Sequence, residues 1–433
     1  MHKAEYMILD YLAEYHRYRS ILGVFVVLVI AVIFSRHRSH INYGLVCRGL
    51  LLHCVLGFIA LKTQAGHWCL QKLANGISLL YQYGAQGISF VFGALGVPTA
   101  PWNFMFAFHV LPVIIFFGAL VNMLFYFGII QRVVKVIEAC VRPLLHTSGP
   151  ETLCAVANSF LSQTESPLLV RHYLDRMTKS ELFVVMVSGM GTISGAILAV
   201  YAVMGVPAQH MLAASIMAIP ATLIIAKIVY PETEKSEVSQ AQDALLTDGT
   251  VAGRNVLDAI SRGTSDGLSL ALNVGAMLIA FIALIALANA MLSGLFSGLS
   301  WVLIKAGLLQ VALPSFTLTN LFGLLFIPFG WLFGIDILGT IMQVSSLMGT
   351  KLAINEMVAY SMLVTAGLSA RMVAMVTYAL CGFANFSSIG IQLGGIGALV
   401  PHRRHEIAEL GMRALLSATL ANLLSALVAG LFI

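Results

Sequence analysis

Long apolar stretches separated by short polar segments dominate the pattern of this chain. Eight of them approach or exceed the roughly 20 residues that a membrane-spanning helix needs. They cover residues 21–35, 43–61, 103–130, 181–204, 211–229, 268–295, 364–388 and 412–432. The first stretch is short, so its helix is expected to begin upstream of Ile21. The segments 62–101, 131–180, 230–267 and 296–363 are too polar, too broken or too short to cross, and residues 232–266 are expected to form a polar cytoplasmic connector. The pattern predicts an all-α polytopic membrane protein with about eight transmembrane helices.

A polar interruption breaks this pattern between the third and fourth spans. Residues 158–166 carry seven polar side chains in nine positions, and Pro167 follows them. A carboxylate at the centre of a bilayer costs roughly 2.5–3.5 kcal/mol on insertion scales. Non-helical backbone at that depth must be buried in protein or reached by water. Proline also disfavours helix in the residue before it. Residues 151–172 are therefore expected to form a re-entrant hairpin rather than a span.

A second interruption, Asn355-Glu356 with Lys351 close by, lies in the C-terminal half. Polar breaks in corresponding halves are the usual sequence indication of a secondary transporter's binding site. The order polar hairpin, broken span, plain span occurs at about 150–230 and again at about 340–432. This order indicates a coarse internal repeat.

The two interruptions carry groups that suit a neutral, multiply hydrogen-bonding solute. The first offers an amide, a hydroxyl and a carboxylate at Gln163, Thr164 and Glu165. In the second, the carboxylate of Glu356 could accept paired hydrogen bonds from the diol of a sugar. Two structural alternatives remain: a polar network between helices at the first site, and a Lys351–Glu356 pair, whose spacing of five residues is poor for a helix.

A third polar segment, residues 383–390, contains Asn385 and Ser388, which lie three apart and hence on one helical face. The matching segment of the fourth span is residues 191–195, Gly-Thr-Ile-Ser-Gly. Such residues loosen a helix and free its carbonyls, which together with hydroxyls can hold a dehydrated Na⁺. The alternative is helix packing, because both segments contain G-x-x-x-G pairs.

Composition and charge exclude a soluble protein and a nucleic-acid-binding protein. Only 10% of the residues are charged, against about 25% in soluble proteins. The formal net charge of +5 does not indicate nucleic-acid binding, because the basic residues lie at span ends. The basic residues fall on one side of the membrane if both termini are outside. We therefore predict a multi-pass inner-membrane protein with both termini outside. Residues 131–145 are expected to form an amphipathic helix on the cytoplasmic surface.

Enzymatic signatures are absent from the sequence. No phosphate-binding G-x-x-x-x-G-K-[ST] or zinc-binding H-E-x-x-H motif occurs. The six cysteines stand singly, without metal-ligand spacing. A membrane-embedded hydrolase would need a nucleophile with a base, and Ser194 lacks a positioned histidine. An ion channel could also use intramembrane loops, although no filter motif is visible.

Three motifs resemble those of the concentrative nucleoside transporters. Residues 162–167, Ser-Gln-Thr-Glu-Ser-Pro, are similar to the family's G-Q-T-E-A-P. Residues 351–360, Lys-Leu-Ala-Ile-Asn-Glu-Met-Val-Ala-Tyr, resemble K-x-x-x-N-E-F-V-A-Y. Residues 381–390, Cys-Gly-Phe-Ala-Asn-Phe-Ser-Ser-Ile-Gly, are close to identical to the family's segment. The resemblance covers about residues 40 to 432.

The resemblance implies a homotrimer of elevator type, each protomer an inverted repeat with eight spans, two opposed re-entrant hairpins and its own site. It implies nucleobase contacts from Gln163, Thr164, Glu165 and Ile197. It implies that the ribose is held by Glu356, Asn385 and Ser388, with Phe383 packing nearby. The family's Na⁺ site maps onto Asn158, the carbonyl of Leu161, Thr192 and the carbonyl of Ile193.

Departures from the family motifs bear on selectivity and on the coupling ion. Ser162 stands where glycine is common, Ser166 where alanine is common, and Met357 where the family has phenylalanine. Thr192 keeps a hydroxyl where serine is frequent, so Na⁺ coupling is expected. Some bacterial relatives use H⁺, for which Glu165 or Glu356 could serve.

These observations predict a cation-coupled nucleoside symporter, with Na⁺ as the first choice of ion and H⁺ as the alternative. It would import nucleosides such as uridine. The expected division is residues 1–145 as N-terminal scaffold, 146–230 as first hairpin and broken span, 231–335 as connector and long scaffold span, and 336–433 as second hairpin and broken span. The sequence does not rank individual nucleosides or fix the stoichiometry.

Overall fold

The computed structural model describes residues 10–96, 105–238, 255–308, 310 and 317–433, and within these ranges all regular structure is helical. Residues 239–254 of the predicted polar connector lie outside the described residues. The principal helices are α1 (Arg17–Ile33), α2 (Tyr43–Lys62), α3 (Gln64–Phe92), α4 (Leu111–Tyr126), α5 (Ile129–Leu145), α6 (Gly149–Ala157), α7 (Lys179–Gly191), α8 (Gly195–Val203), α9 (Ala208–Val229), α10 (Val256–Lys305), α11 (Leu318–Leu324), α12 (Ile327–Leu332), α13 (Leu338–Ala353), α14 (Glu356–Thr365), α15 (Ala370–Leu380), α16 (Phe386–Leu399) and α17 (Arg404–Phe432).

Within the described ranges, seven helical segments are long and apolar enough to cross a membrane. They are Asp10–Ile33, Tyr43–Lys62, Phe106–Tyr126, Lys179–Val203, Ala208–Val229, Val256–Lys305 and Pro401–Phe432. The predicted span at 364–388 is replaced by two short apolar helices, α15 and α16, separated by a break. The first span begins upstream of Ile21, as expected.

Two helices differ from the predicted pattern: α10 extends beyond its predicted span, and α3 forms where no span was predicted. Helix α10 has 50 residues and includes the end of the predicted connector. At 1.5 Å per residue it is about 75 Å long, more than twice the thickness of the hydrocarbon core. Helix α3 occupies 29 residues of a segment predicted to be too polar to cross, and it is not among the seven apolar spans. The predicted amphipathic helix at 131–145 is confirmed as α5.

Hairpin 1 comprises residues 148–177. Helix α6 begins with a capping box, in which the Glu151 carboxylate accepts a 2.8 Å hydrogen bond from the Ser148 amide. The chain turns after Ala157 and returns through Ser166–Val170 and Arg171–Leu174. Lys227 Nζ lies 2.8 Å from Glu151 at the entry and donates to Ser180, just past the exit, at 3.1 Å. Both ends of hairpin 1 therefore lie together, as a re-entrant segment requires.

Hairpin 2 comprises residues 338–366 and is built from α13 and α14, which are closed at the base by a 2.8 Å hydrogen bond from Gln343 to the Ala366 carbonyl. Helix α17 contacts the base of hairpin 1 at its start and the residues after hairpin 2 near its end. At its start Arg403 donates to the carbonyls of Leu174 and Met177, at the base of hairpin 1. Near its end the Gly430 carbonyl accepts from Arg371, which follows hairpin 2. The hairpins therefore enter from opposite ends.

Two helices are interrupted between the hairpins. Break 1 is residues 192–194, between α7 and α8, and break 2 is residues 381–385, between α15 and α16. Asn422 Nδ2 donates 2.7 Å hydrogen bonds to the carbonyls of both Gly191 and Cys381. Its Oδ1 accepts a 2.7 Å bond from Lys351, which also donates to Ala379. Because carbonyls at helix C-termini carry partial negative charge, these donors stabilise the meeting of the two half-helices.

Burial separates a central from a peripheral set of spans. In α7–α8 and in α9, 89% of the most apolar window is buried inside the protein, against 12% in α10. The hairpins and broken helices thus form the protein-enclosed core, while α10 exposes apolar side chains along its length. At one end Tyr11 donates to the Leu431 carbonyl at 2.6 Å, so the beginning and end of the described chain lie on the same side.

Candidate functional site

A cavity of about 580 Å³ lies where the two hairpin tips and the two breaks meet. This size is within the range of small-molecule sites. All eight side chains expected at a substrate site line it: Gln163, Thr164, Glu165, Ile197, Glu356, Phe383, Asn385 and Ser388. Residues of α4 and α10, among them Asn122, Asp266 and Asn273, complete the wall.

The tip of hairpin 1 is held by its own polar groups. Pro167 and the run of short polar residues prevent α6 from continuing, so the chain turns between Ala157 and Ser166. The Glu165 carboxylate accepts a 2.8 Å hydrogen bond from the Ser162 amide, which closes the turn. The Gln163 side chain is 6% exposed and faces α16. The tip therefore presents side-chain and backbone groups to the cavity in a fixed arrangement.

The tip of hairpin 2 places Glu356 at the start of α14. Asn355 caps this helix by accepting from the Val358 amide at 3.0 Å. Glu356 is 5% exposed, and its two carboxylate oxygens accept from Tyr201 OH at 2.8 Å and from Asn385 Nδ2 at 3.1 Å. Donors on both oxygens fix the orientation of a carboxylate at the cavity wall.

Break 2 positions Asn385 as the N-cap of α16. Its Oδ1 accepts from the Ser388 amide at 3.0 Å and from the hydroxyls of Ser387 and Ser388 at 2.6 and 3.2 Å. Ser388 in turn accepts from Gln163 Nε2 at 3.4 Å. A hydrogen-bonded connection therefore runs from hairpin 1, through break 2, to Glu356 of hairpin 2.

The residues expected to hold a cation lie beside this cavity, behind the tip of hairpin 1. Thr192 Oγ1 donates to the carbonyls of Asn158 and Ser188 at 3.0 and 2.9 Å. Leu161 is buried in the tip of hairpin 1, and Ile193 is buried in break 1. These groups are amide, hydroxyl and carbonyl oxygens, which suit a hard monovalent cation. Ser166 donates to Asn158 Oδ1 at 2.6 Å, a hydroxyl that an alanine at this position would lack.

The alternative of a Lys351–Glu356 pair at a membrane surface does not describe the structure. Both side chains are buried, and Lys351 donates to Ala379 and Asn422 instead. The separation of five residues places the two groups on different sides of the turn between α13 and α14, as their poor helical spacing indicated.

Besides the wall residues Asn122, Asp266 and Asn273, sequence reasoning missed three residues that contact the predicted site residues or join the two breaks: Tyr201, Gln392 and Asn422. Tyr201 donates to Glu356, Gln392 contacts Gln163, and Asn422 joins the two breaks. Each is a buried polar group with apolar residues on both sides of it along its helix. The available signal was that burial of a polar side chain within the membrane costs free energy unless the side chain has a hydrogen-bonding partner. The identity of that partner required the tertiary structure.

Family models match most of the chain. The model described as the N-terminus of the Na⁺-dependent nucleoside transporters matches residues 22–95, and the model of their C-terminus matches residues 210–430. A third model, described as nucleoside recognition, matches residues 107–208.

Individual relatives span nearly the whole length. A transporter of Haemophilus influenzae without assigned substrate is 42% identical over 96% of this chain and 97% of its own. A nucleoside permease of Helicobacter pylori is 37% identical over 96% of this chain and 97% of its own. The solved transporter CNTnw, in an inward-facing substrate-bound state, is 38% identical with a TM-score of 0.85, covering 96% of this chain and 98% of its own. An outward-facing structure of a CNTnw variant gives the same TM-score.

Proposed function

The chain belongs to the Na⁺-dependent nucleoside transporter family, and we propose that it is a Na⁺-coupled symporter that imports nucleosides such as uridine across the inner membrane. The observation that carries this proposal is the convergence of eight side chains from two opposed hairpins and two helix breaks on one cavity. The family and the relatives are transporters, which points to a protein that is not an enzyme.

In the proposed complex the nucleobase lies against hairpin 1 and the ribose against hairpin 2. Gln163, Thr164, Glu165 and Ile197 contact the base. The ribose hydroxyls donate to the Glu356 carboxylate, an arrangement supported by its burial and by its fixed orientation between Tyr201 and Asn385. Ser388 and Phe383 complete the sugar subsite, since both line the same cavity.

The proposed coupling ion is held by Asn158, the Leu161 carbonyl, Thr192 and the Ile193 carbonyl. Break 1 and break 2 touch, because the Phe383 amide donates to the Thr192 carbonyl at 3.3 Å. A cation that orders Thr192 and the hairpin tip therefore also orders groups that contact substrate. Each ligand then favours binding of the other, and the effect is reciprocal.

Transport in this proposal moves the central body past a stationary scaffold in a homotrimer. The hairpins and broken helices, residues 146–230 and 336–433, form the moving part, which their burial within the protein supports. Residues 1–145 and 231–335 form the scaffold, and the exposed apolar face of α10 supports contact with lipid or with neighbouring subunits. The positive-inside rule places both termini outside.

The uptake of labelled uridine into proteoliposomes tests this function. At constant pH, an inward Na⁺ gradient should drive accumulation, and replacement of Na⁺ by choline should suppress it because the cation site is left without its ligand. Uptake that is unchanged in choline and is sensitive to a protonophore would assign coupling to H⁺. No nucleoside uptake under either gradient would contradict the proposed function itself.

A further inference from the structure

We propose that Gln392 orients the amide of Gln163 so that the cavity presents a hydrogen-bond donor, and thereby selects nucleosides whose base carries a keto group over those with an amino group. The inference rests on the proposed function and names a substrate preference for it. Gln392 is a positioning residue here, since it acts on the base through Gln163.

The Gln392 amide has one orientation that satisfies its surroundings. The side chain is fully buried on α16, four residues after Ser388 and therefore on the same face. Its Nε2 donates to the Met186 carbonyl at 2.9 Å. A carbonyl only accepts, so the opposite orientation would place two acceptors against each other. The second N–H of the same nitrogen lies toward Gln163 Oε1, at 3.3 Å between the heavy atoms.

At the other end of the connection, the orientation of Asn385 is fixed independently, and the Ser388 hydroxyl is compatible with either orientation of Gln163. Asn385 Oδ1 accepts from the Ser388 backbone amide, which can only donate, so Asn385 Nδ2 must face Glu356. The Ser388 hydroxyl donates to Asn385 Oδ1 at 3.2 Å and is therefore available to accept from Gln163 Nε2. The Gln392 end therefore requires Gln163 to turn its oxygen to Gln392, and the Ser388 end permits its nitrogen to face Ser388.

The orientation decides what Gln163 offers to a base. Its Nε2 carries two N–H donors, of which Ser388 takes one, and the side chain lines the cavity. The remaining donor matches a keto oxygen such as O4 of uracil or O6 of hypoxanthine. An amino group at that position, as in cytosine or adenine, brings donor against donor. We expect uridine to bind about tenfold more tightly than cytidine, and inosine more tightly than adenosine, since one mismatched hydrogen bond changes affinity by about that factor.

Equilibrium competition among uridine, cytidine, inosine and adenosine on purified protein tests the inference. In Gln392→Glu the carboxylate can only accept, so it turns Gln163 Nε2 toward itself and the Gln163 oxygen toward Ser388 and the cavity, which should reverse the keto preference. The same carboxylate also faces the Met186 carbonyl, acceptor against acceptor, so this variant is expected to be less stable than the wild type. In Gln392→Leu the donor that faces Gln163 Oε1 is removed. The Ser388 hydroxyl, which can donate or accept, then admits both orientations of the Gln163 amide, and the ratio should fall toward one. The control is Gln343→Glu, the same change at an exposed amide at the base of hairpin 2, which should keep the wild-type ratio.

The possible results distinguish a failure of the proposed nucleoside transport from a failure of the proposed keto preference. A wild-type protein that binds none of the four nucleosides would contradict the proposed function. Nucleoside binding without keto preference, or an unchanged uridine-to-cytidine ratio in the Gln392 variants, would overturn this inference and leave transport intact. If Gln392→Glu does not fold, the ratio in Gln392→Leu decides.

Discussion

Glu356→Gln is expected to abolish nucleoside uptake, with affinity for uridine reduced at least about 100-fold. The carboxylate accepts from Tyr201 and Asn385 and, in the proposed complex, from the ribose diol. An amide has one acceptor oxygen, so one of these donors must face a new N–H. Loss of two charge-assisted hydrogen bonds accounts for a change of this size. Uridine binding and uptake by the purified, reconstituted variant measure it.

The control for this variant is Glu409→Gln, which makes the same chemical change at a half-exposed carboxylate paired with Arg36 at 3.0 Å. Such surface pairs contribute little, so stability and uptake should stay near wild type. Size-exclusion chromatography should give the same oligomer for both variants. Normal uptake by a folded Glu356→Gln protein would refute the ribose assignment.

Gly382→Ala is expected to prevent break 2 from forming. Gly382 has a φ of +149°, and an added Cβ would lie 2.6 Å from Asn422 Oδ1 and 2.8 Å from the backbone carbonyl of Gly191. Backbone cannot withdraw as a flexible side chain can, so the contact between the two half-helices must open. Strain and overpacking together should destabilise the protein by about 3 kcal/mol and eliminate uptake. The apparent melting temperature and the uptake rate measure these effects.

Gly390→Ala is the matched control, eight residues further along in the same motif. Its added Cβ would have no heavy atom within 4 Å, and the position lies inside α16. Alanine is the better helix former, so stability should be unchanged or slightly higher. A Gly382→Ala protein that melts and transports like wild type would show that close contact between the breaks is dispensable.

The location of the hairpins could be predicted because burial of polar groups in a membrane is costly at any position. Residues 158–166 and Pro167 cannot continue an apolar helix, and the structure turns the chain there. The helix-loosening residues of segments 191–195 and 383–390 likewise indicated the breaks. Local chemistry therefore decided where helices end, independently of their neighbours.

Helix bounds were less predictable where composition is mixed. Residues 389–399 are rich in glycine and contain Gln392, so the seventh span was expected to end at residue 388, whereas α16 continues to Leu399. The Met186 carbonyl and Gln163 Oε1 accept hydrogen bonds from the Gln392 nitrogen in this segment. Helix α3 was missed as a continuous element for a similar reason, since its scattered glutamines and glycines hide an unbroken 29-residue helix.

The partners of single polar residues could not be read from the sequence. Asn422 lies in α17 and joins the ends of α7 and α15, although it is 231 positions away from Gly191 in the sequence. Neither spacing nor periodicity links such residues, because the connection exists only after the two repeats have packed together. Tyr201 and Glu356, 155 positions apart, are a second example.

Thermal unfolding of the purified wild-type protein with uridine, in Na⁺ and in choline, tests the central claim most directly. That claim is that facing polar tips bind a nucleoside next to a cation which orders the same groups. A ligand that binds only the folded protein at 100 times its Kd adds about 2.7 kcal/mol of stability. We expect clear stabilisation by uridine in Na⁺ and much less in choline. Absence of stabilisation in both salts, or equal stabilisation in both, would contradict it.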